Sequence, residues 1–353
     1  MATAPAAYLD THTAFLRRIY AIIYTWGKIM QTKIRWGILG AAGIARKRVV
    51  PAMQASHNGE VTAVASRTLD KARAFAGELG IPKFYGSYEE LIADPEIDAI
   101  YNPLPNSEHA EWSIRCAEAG KPVLCEKPLA KDAAEAQKMV DAFTERGILF
   151  AEGFMYRFHP QTAKVKAMVE AGAVGRIIAM QATFTFSVQG EGNIRLSKPL
   201  AGGSLMDVGC YCINVMRLMT GEEPEKARAI ARIGTESGVD EWLSGILAFP
   251  GGALGHFDCG LRAYRTHTYE IRGTEGRILV ESGFVMEPNE APTIRYWQGD
   301  QYEEIPIPAA NHYTLMAEDF ADALLNSRPP RFSGQDGVYN MRAIDMLVAN
   351  ARS

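Results

Sequence analysis

The stretch Lys33–Ala45, KIRWGILGAAGIA, constrains this chain more than any other. Lys33–Leu39 reads as a strand and runs straight into small residues, with a helix from about Ile44 to Gln54. Gly40 stands where strand must turn tightly into helix. Ala42 takes the usual second-glycine position, Ala45 the small packing position, and Gly43 adds freedom to the turn. Small side chains let the backbone approach a pyrophosphate, and the helix N-terminus supplies donors. A glycine-rich turn alone is weak evidence. This one follows a strand, precedes a helix and opens a βαβ unit, so Gly40, Ala41, Ala42, Gly43, Ile44 and Ala45 are expected to cradle a dinucleotide.

An NAD site usually carries an acidic residue at the end of the second strand, predicted here as Val61–Ser66. The chain has Ser66-Arg67-Thr68 instead. Arg67 can pair with a 2′-phosphate, Ser66 can hydrogen-bond it, and Lys71 lies one turn further on. The expected cofactor is therefore NADP(H) rather than NAD.

Helical segments alternate with short apolar strands up to about residue 155, which predicts a parallel sheet covered on both faces. Beyond it, a helix at Gln161–Glu170 precedes a long strand, Arg176–Phe186, and seven further strands from Ala229 to Pro306 with short turns. Helices are expected at Gly209–Met219, His312–Asn326 and Gly334–Asn350. The reading is α/β: a Rossmann domain over 33–155, then an α+β domain over 156–353 on an open, mostly antiparallel sheet. Ile246, Ala248, Leu254 and Phe257 suggest an apolar outer face and sheet-to-sheet dimerisation. Residues 1–32 form an arm that neither core obviously needs.

Arg17 and Arg18 precede an apolar run faintly like an export signal, but Trp26, Gly27 and Lys28 interrupt it and it is too short to span a bilayer. A cytoplasmic protein is expected, with periplasmic export as the alternative. A net charge of -4 gives no electrostatic case for nucleic-acid binding. The five cysteines are expected to be buried small side chains. Cys210 and Cys212 lack the partners of a zinc pattern, so no metal is expected.

Two constellations carry chemistry. Cys125-Glu126-Lys127-Pro128 ends a strand of the first domain, which places Glu126 and Lys127 over a ligand crevice. Lys127 can hydrogen-bond a sugar oxygen and stabilise developing negative charge. Asp207 and Tyr211 are four apart at a helix start, on one face. Asp207 could simply cap that helix and Tyr211 could be core. Alternatively, carboxylate and phenol converge on the carbon that loses hydride, and Tyr211 removes the hydroxyl proton if Lys127 lowers its pKa. Arg157 and His159 would add polarity to such a pocket. Tyr156, Phe158 and Tyr264 could stack on a pyranose or merely pack.

Together GILGAAGIA, SRTLDKA, NPLPNSEH, CEKPLA, AEGFMYRFHP, AGGSLMDVGCYCIN and YEIRGTEGRI resemble the glucose–fructose oxidoreductase, inositol dehydrogenase and rhizopine catabolism family over about residues 33–350. The resemblance implies that Lys127 contacts the reacting hydroxyl and that Asp207 holds substrate. Tyr211 falls where inositol dehydrogenase-like members carry histidine, which favours the tyrosine branch of aldose oxidoreductases. It further implies that Pro103, Leu104, Asn106, His109 and Arg157 line the nicotinamide and its ribose, and that Arg195 and Tyr85 reach the cofactor. By the same resemblance, the arm helps retain NADP(H), and one aldose is oxidised at C1 to a lactone while a second sugar carbonyl is reduced. A dehydrogenase that releases NADPH, acting on xylose, glucose or a trans-dihydrodiol, is the alternative. A non-catalytic dinucleotide sensor is the reading from another class. The implied assembly is a homodimer through the C-terminal sheets, or a tetramer built from it.

Overall fold

The computed structural model describes residues 32–189 and 192–352. The expected arm over residues 1–32 lies almost wholly outside them. No described helix is long and apolar enough to cross a membrane.

The first sheet contains β1 (Ile34–Leu39), β2 (Gly59–Ala65), β3 (Lys83–Tyr85), β4 (Ala99–Asn102), β5 (Val123–Cys125) and β6 (Phe150–Glu152). All run parallel in the order β3-β2-β1-β4-β5-β6. The order reverses between β1 and β4, where open α/β sheets bind ligands beyond their carboxyl ends. The helix after β1 starts at Gly43, is π-wound over Ala45–Val49 and continues as α1 (Val50–Ala55). The other crossovers are α2 (Leu69–Leu79), the short α3 (Tyr88–Ala93), α4 (His109–Glu118) and α5 (Ala133–Thr144). The connection between β2 and β4 thus gains β3 and α3, which are too short for a periodicity signal.

The second sheet has nine strands, β7 (Ile177–Ser187), β8 (Lys226–Ile233), β9 (Asp240–Ala248), β10 (Leu254–Gly260), β11 (Arg262–Gly273), β12 (Gly276–Val280), β13 (Thr293–Gln298), β14 (Gln301–Pro306) and β15 (Ala351–Arg352). It is antiparallel except where β10 pairs with β7 and β15 with β8. Its inner face is covered by α7 (Cys210–Thr220), which follows α6 (Pro160–Glu170) in the chain. Cys210, Cys212 and Cys259 are buried here, as are Cys116 and Cys125 in the first domain.

The open face differs from the sequence expectation. Leu254 and Phe257 are three apart, so on a strand they point to opposite sides. Phe257 is buried, whereas Ile246 and Leu254 are 54% and 53% exposed. Aligned registers place Arg228, Ile246, His256, Gln181 and Glu270 in one row across the face. The next row is Ile230, Ser244, Asp258, Thr183 and Thr268. The face is therefore mixed rather than apolar.

The last two helices, α8 (His312–Leu325) and α9 (Gly334–Ala349), also serve the first domain. Phe320 of α8 lies 5.2 Å from Trp36 of β1, and Asn58 Nδ2 donates to the Glu318 carbonyl at 2.9 Å. An amphipathic sequence shows that a helix buries one face but not which sheet receives it.

Candidate active site

Gly40 turns β1 out of the sheet with φ of 86°, a value that favours glycine. An added Cβ would meet Leu104 Cδ2 at 2.9 Å, so Leu104 closes over the turn. Gly43 is already helical, so its predicted role in loosening the turn gives way to another. Its Cβ would meet nothing within 4 Å, which leaves the space above the helix N-terminus open. Ala41, Ala42 and Ile44 are half-buried around this opening, and Ala45 is packed beneath it. Free backbone donors at an open helix start, flanked by small residues, suit a pyrophosphate.

At the end of β2, Ser66 is buried and its N–H donates to the Tyr85 carbonyl at 3.2 Å. Arg67 and Lys71 are exposed beside it. Tyr85 itself does not turn toward the site. Its hydroxyl donates to Asp94 Oδ2 at 2.6 Å on the sheet edge. Tyr88 is the tyrosine near the turn, with its hydroxyl 3.6 Å from a Gly40 Cβ and its ring edge-on to Trp112 at 4.7 Å. Sequence reading passed over it because α3 was not seen.

Beyond β4 and β5 opens a cavity of about 370 Å³ between the domains. It brings together Ile44, Pro103, Leu104, Asn106, His109, Glu126, Lys127, Arg195, Asp207 and Tyr211, all singled out from sequence, and adds Arg48, Arg265 and Tyr313. A larger hollow of about 550 Å³, between Phe143, Phe150 and Arg328, contains none of the residues singled out from sequence. The interdomain cavity is therefore the candidate site.

Lys127 lies at its centre. Its Nζ donates to the Asp207 carbonyl at 2.7 Å and to Asp207 Oδ1 at 3.1 Å. Arg195 Nε donates to Asp207 Oδ2 at 2.6 Å. Burial opposes the Asp207 charge, but Lys127 and then Arg195 outweigh it and hold the carboxyl below its ordinary range. Burial likewise opposes the Lys127 charge, and Asp207 restores and exceeds it, so the ammonium persists. Asp207 does not cap its helix. That position belongs to Asp240, whose Oδ2 accepts from Leu205 N and Ser204 Oγ, each at 2.7 Å. Asp207 sits within the π-wound turn Leu205–Gly209 leading into α7, and its side chain is thereby freed for the cavity.

Tyr211 stands under Lys127, whose Nζ is 5.1 Å from the ring centre. The phenol is boxed by Phe154, Phe184 and Phe284 at 5.1, 5.3 and 5.6 Å. Its hydroxyl donates to Met155 Sδ at 3.2 Å. The expectation that Lys127 lowers its pKa is corrected: burial pushes the phenol well above its ordinary value, and two of the Nζ hydrogens go to Asp207. A thioether is a weak acceptor, so this hydroxyl is a donor held for a better partner.

Supporting residues fix the loops. His109 is buried, with Nε2 2.8 Å from the Leu104 carbonyl and Nδ1 3.0 Å from that of Pro128. Burial pushes its pKa down to about 4, so the ring is neutral and its single N–H serves one of the two carbonyls while the ring packs between the loops. Glu126 accepts from Tyr101 at 2.6 Å, and burial raises its pKa. Asn106 Nδ2 donates to the Ala201 carbonyl at 2.8 Å and ties the domains together.

Three predicted residues lie elsewhere. Arg157 is buried away from the cavity, paired with Asp336 and stacked on Phe332 at 3.5 Å. His159 caps α6 by accepting from Gln161 N at 3.1 Å and is fully buried. Tyr264 is 90% exposed, outside the cavity. Tyr156 packs in the core, donating to Asn214 at 2.6 Å, and the half-buried Phe158 packs against the core from outside, edge-on to Phe332. Residue type alone could not give these orientations.

The chain matches known families over both domains. Residues 34–154 fit the oxidoreductase family with an NAD-binding Rossmann fold, and residues 162–279 fit the GFO/IDH/MocA C-terminal domain. It is 38% identical over 319 residues to a D-xylose 1-dehydrogenase (NADP(+)) of Haloferax volcanii, covering 90% of this chain and 97% of that one. A 3-ketoreductase from Actinomadura kijaniata, crystallised with NADP and TDP-benzene, superposes with a TM-score of 0.86 at 33% identity, covering 91% of this chain and 98% of that one. An aldose-aldose oxidoreductase from Caulobacter crescentus, complexed with glycerol, superposes with a TM-score of 0.84 at 26% identity, over 90% and 97% of the two chains. The Rossmann sheet, the open second sheet and the cleft between them thus have a common origin with these enzymes, and the chain belongs to the GFO/IDH/MocA family of oxidoreductases.

Proposed function

We propose that this protein is an NADP-dependent sugar oxidoreductase that oxidises an aldose at C1 to the lactone. The observation that carries the reading is the convergence of Lys127, Asp207 and Tyr211 on one cavity at the carboxyl edge of the Rossmann sheet. Arg67 and Ser66, with no carboxylate between them, suit the 2′-phosphate of NADP. The xylose dehydrogenase and the NADP-bound ketoreductase support the same cofactor and substrate class.

NADP supplies the nicotinamide carbon that takes hydride from the substrate or returns it. The protein's residues handle the oxygen on the reacting carbon. Lys127 spends two hydrogen bonds on Asp207, and a primary ammonium has three to give. The remaining N–H can meet the sugar oxygen and stabilise negative charge there. Asp207 holds that ammonium in place. The Tyr211 phenol, kept protonated by burial, gives its proton to the oxygen when a carbonyl is reduced. In the oxidative direction the phenol must first lose that proton, so oxidation is expected to rise with pH into the alkaline range. Tyr211→Phe should keep the fold and NADP binding while turnover falls about a hundredfold, the scale for a positioned acid or base. Steady-state NADP reduction with a panel of aldoses tests both statements. Turnover unchanged in the variant would remove the phenol from the mechanism.

A second reading, in which NADP(H) stays bound while a second sugar carbonyl is reduced, is favoured by the similarity to the aldose-aldose oxidoreductase. Paired aldoses incubated without added cofactor should then yield both aldonate and alditol. For assembly, we propose a homodimer through the open sheet face, where Ile230, Ile246 and Leu254 stay exposed. Light scattering should give twice the mass of the chain, and a monomer with that face still exposed would rule it out.

A further inference from the structure

The cavity mouth carries a feature that the oxidoreductase reading leaves unused. Where β11 runs beside β7, Arg262 pairs with Ser187 and Thr266 with Thr185. Ala263, Tyr264 and Arg265 therefore stand opposite Phe186 alone. A bulge of this kind re-aims side chains, and bulges concentrate beside active sites. Thr185 Oγ1 donates to the Tyr264 carbonyl at 2.7 Å and fixes the bulge. Tyr264 is thrown into solvent, and Arg265, itself exposed, lines the mouth of the cavity that holds Lys127, Asp207 and Tyr211.

Arg265 is set apart by charge as well as by position. Lys127 and Arg195 share Asp207. Arg48, the remaining cation of the lining, is held by Glu287 through two bonds of 2.5 Å. Glu126 is engaged by Tyr101 and feels the Lys127 charge. Glu287 feels the Arg265 charge from a distance but is committed to Arg48. Among the described residues, Arg265 has no carboxylate within bonding distance. An uncompensated guanidinium at the mouth of a cavity walled by Phe184 and Phe186 favours an anion.

We propose that Arg265 is a specificity-determining residue, and that the substrate is a sugar carrying a carboxylate or phosphate remote from the carbon held at Lys127 and Tyr211. This rests on the reading of the site as a sugar oxidoreductase and names its substrate class. The test compares kcat/KM for glucose with those for glucose 6-phosphate and glucuronate, in the full-length enzyme with NADP. At least one charged sugar should exceed glucose about tenfold or more, and which one separates phosphate from carboxylate. Arg265→Gln should collapse that preference about tenfold to a hundredfold, the range of a charge-assisted pair, and Arg265→Lys should recover part of it. Calorimetric binding of gluconate and 6-phosphogluconate to the NADP-loaded protein gives a readout without turnover. A preference for neutral sugar, or a charged-sugar preference and anion binding untouched by Arg265→Gln, overturns the proposal. If no sugar is turned over, the oxidoreductase reading fails, and anion binding that depends on Arg265 still decides this inference.

Discussion

Lys127→Met should leave a folded protein that binds NADP and turns over about a thousandfold more slowly. The expected loss is large because, on the proposed mechanism, the lysine donates to the reacting oxygen, and a single such donor is worth about a hundredfold to a thousandfold. The fold should tolerate the change. Asp207 keeps Arg195 as a partner at 2.6 Å, so no carboxylate is orphaned. Methionine also preserves most of the side-chain length within the wall formed with Tyr211. Steady-state kinetics and circular dichroism check the two halves of the expectation. Turnover within about tenfold of wild type would show that the ammonium is structural.

Asp207→Ala should cost stability as well as turnover. Lys127 is 12% exposed at its side chain and would lose the carboxylate it is bonded to, so burial would push its pKa down against the weaker pull of Glu126. Removing one partner of a buried pair costs about 3–5 kcal/mol. The lower end applies here, since Arg195 is 39% exposed and can turn to solvent. Thermal or urea unfolding measures it. The double change with Lys127→Met should be less destabilising than the sum of the singles, because the second change removes the stranded charge. Acid behaviour gives a separate handle. Asp207 has a lowered folded-state pKa, so its contribution is present above the ordinary carboxylate range and is lost as pH falls through the lowered value. The variant should lack that acid-side loss. Additive energies and an unchanged acid limb would mean that the pair is not coupled.

Much of this could be read from sequence because it rests on local pattern. Strand-turn-helix periodicity placed the phosphate-binding turn at Gly40, and the position of Lys127 after β5 placed it over the crevice. The four-residue spacing of Asp207 and Tyr211 put both in the same cavity. What escaped depends on side-chain direction across long sequence separations. Nothing local shows that Arg157 meets Asp336, that Asp240 frees Asp207 from capping, or that Tyr85 turns to Asp94 while Tyr88 approaches the turn. The bulge that exposes Tyr264 and sets Arg265 at the cavity mouth exists only in the register of β11 against β7. Period-two counting by itself separates Phe257 from Leu254, so the buried position of Phe257 is legible in the sequence.

The Lys127–Asp207 bond joins the two domains, one residue following β5 and the other standing in the helical turn that leads into α7. On the proposed mechanism, chemical competence and interdomain closure are then one event: an opening that parted the domains would separate the ammonium from its carboxylate and withdraw the donor from the phenol.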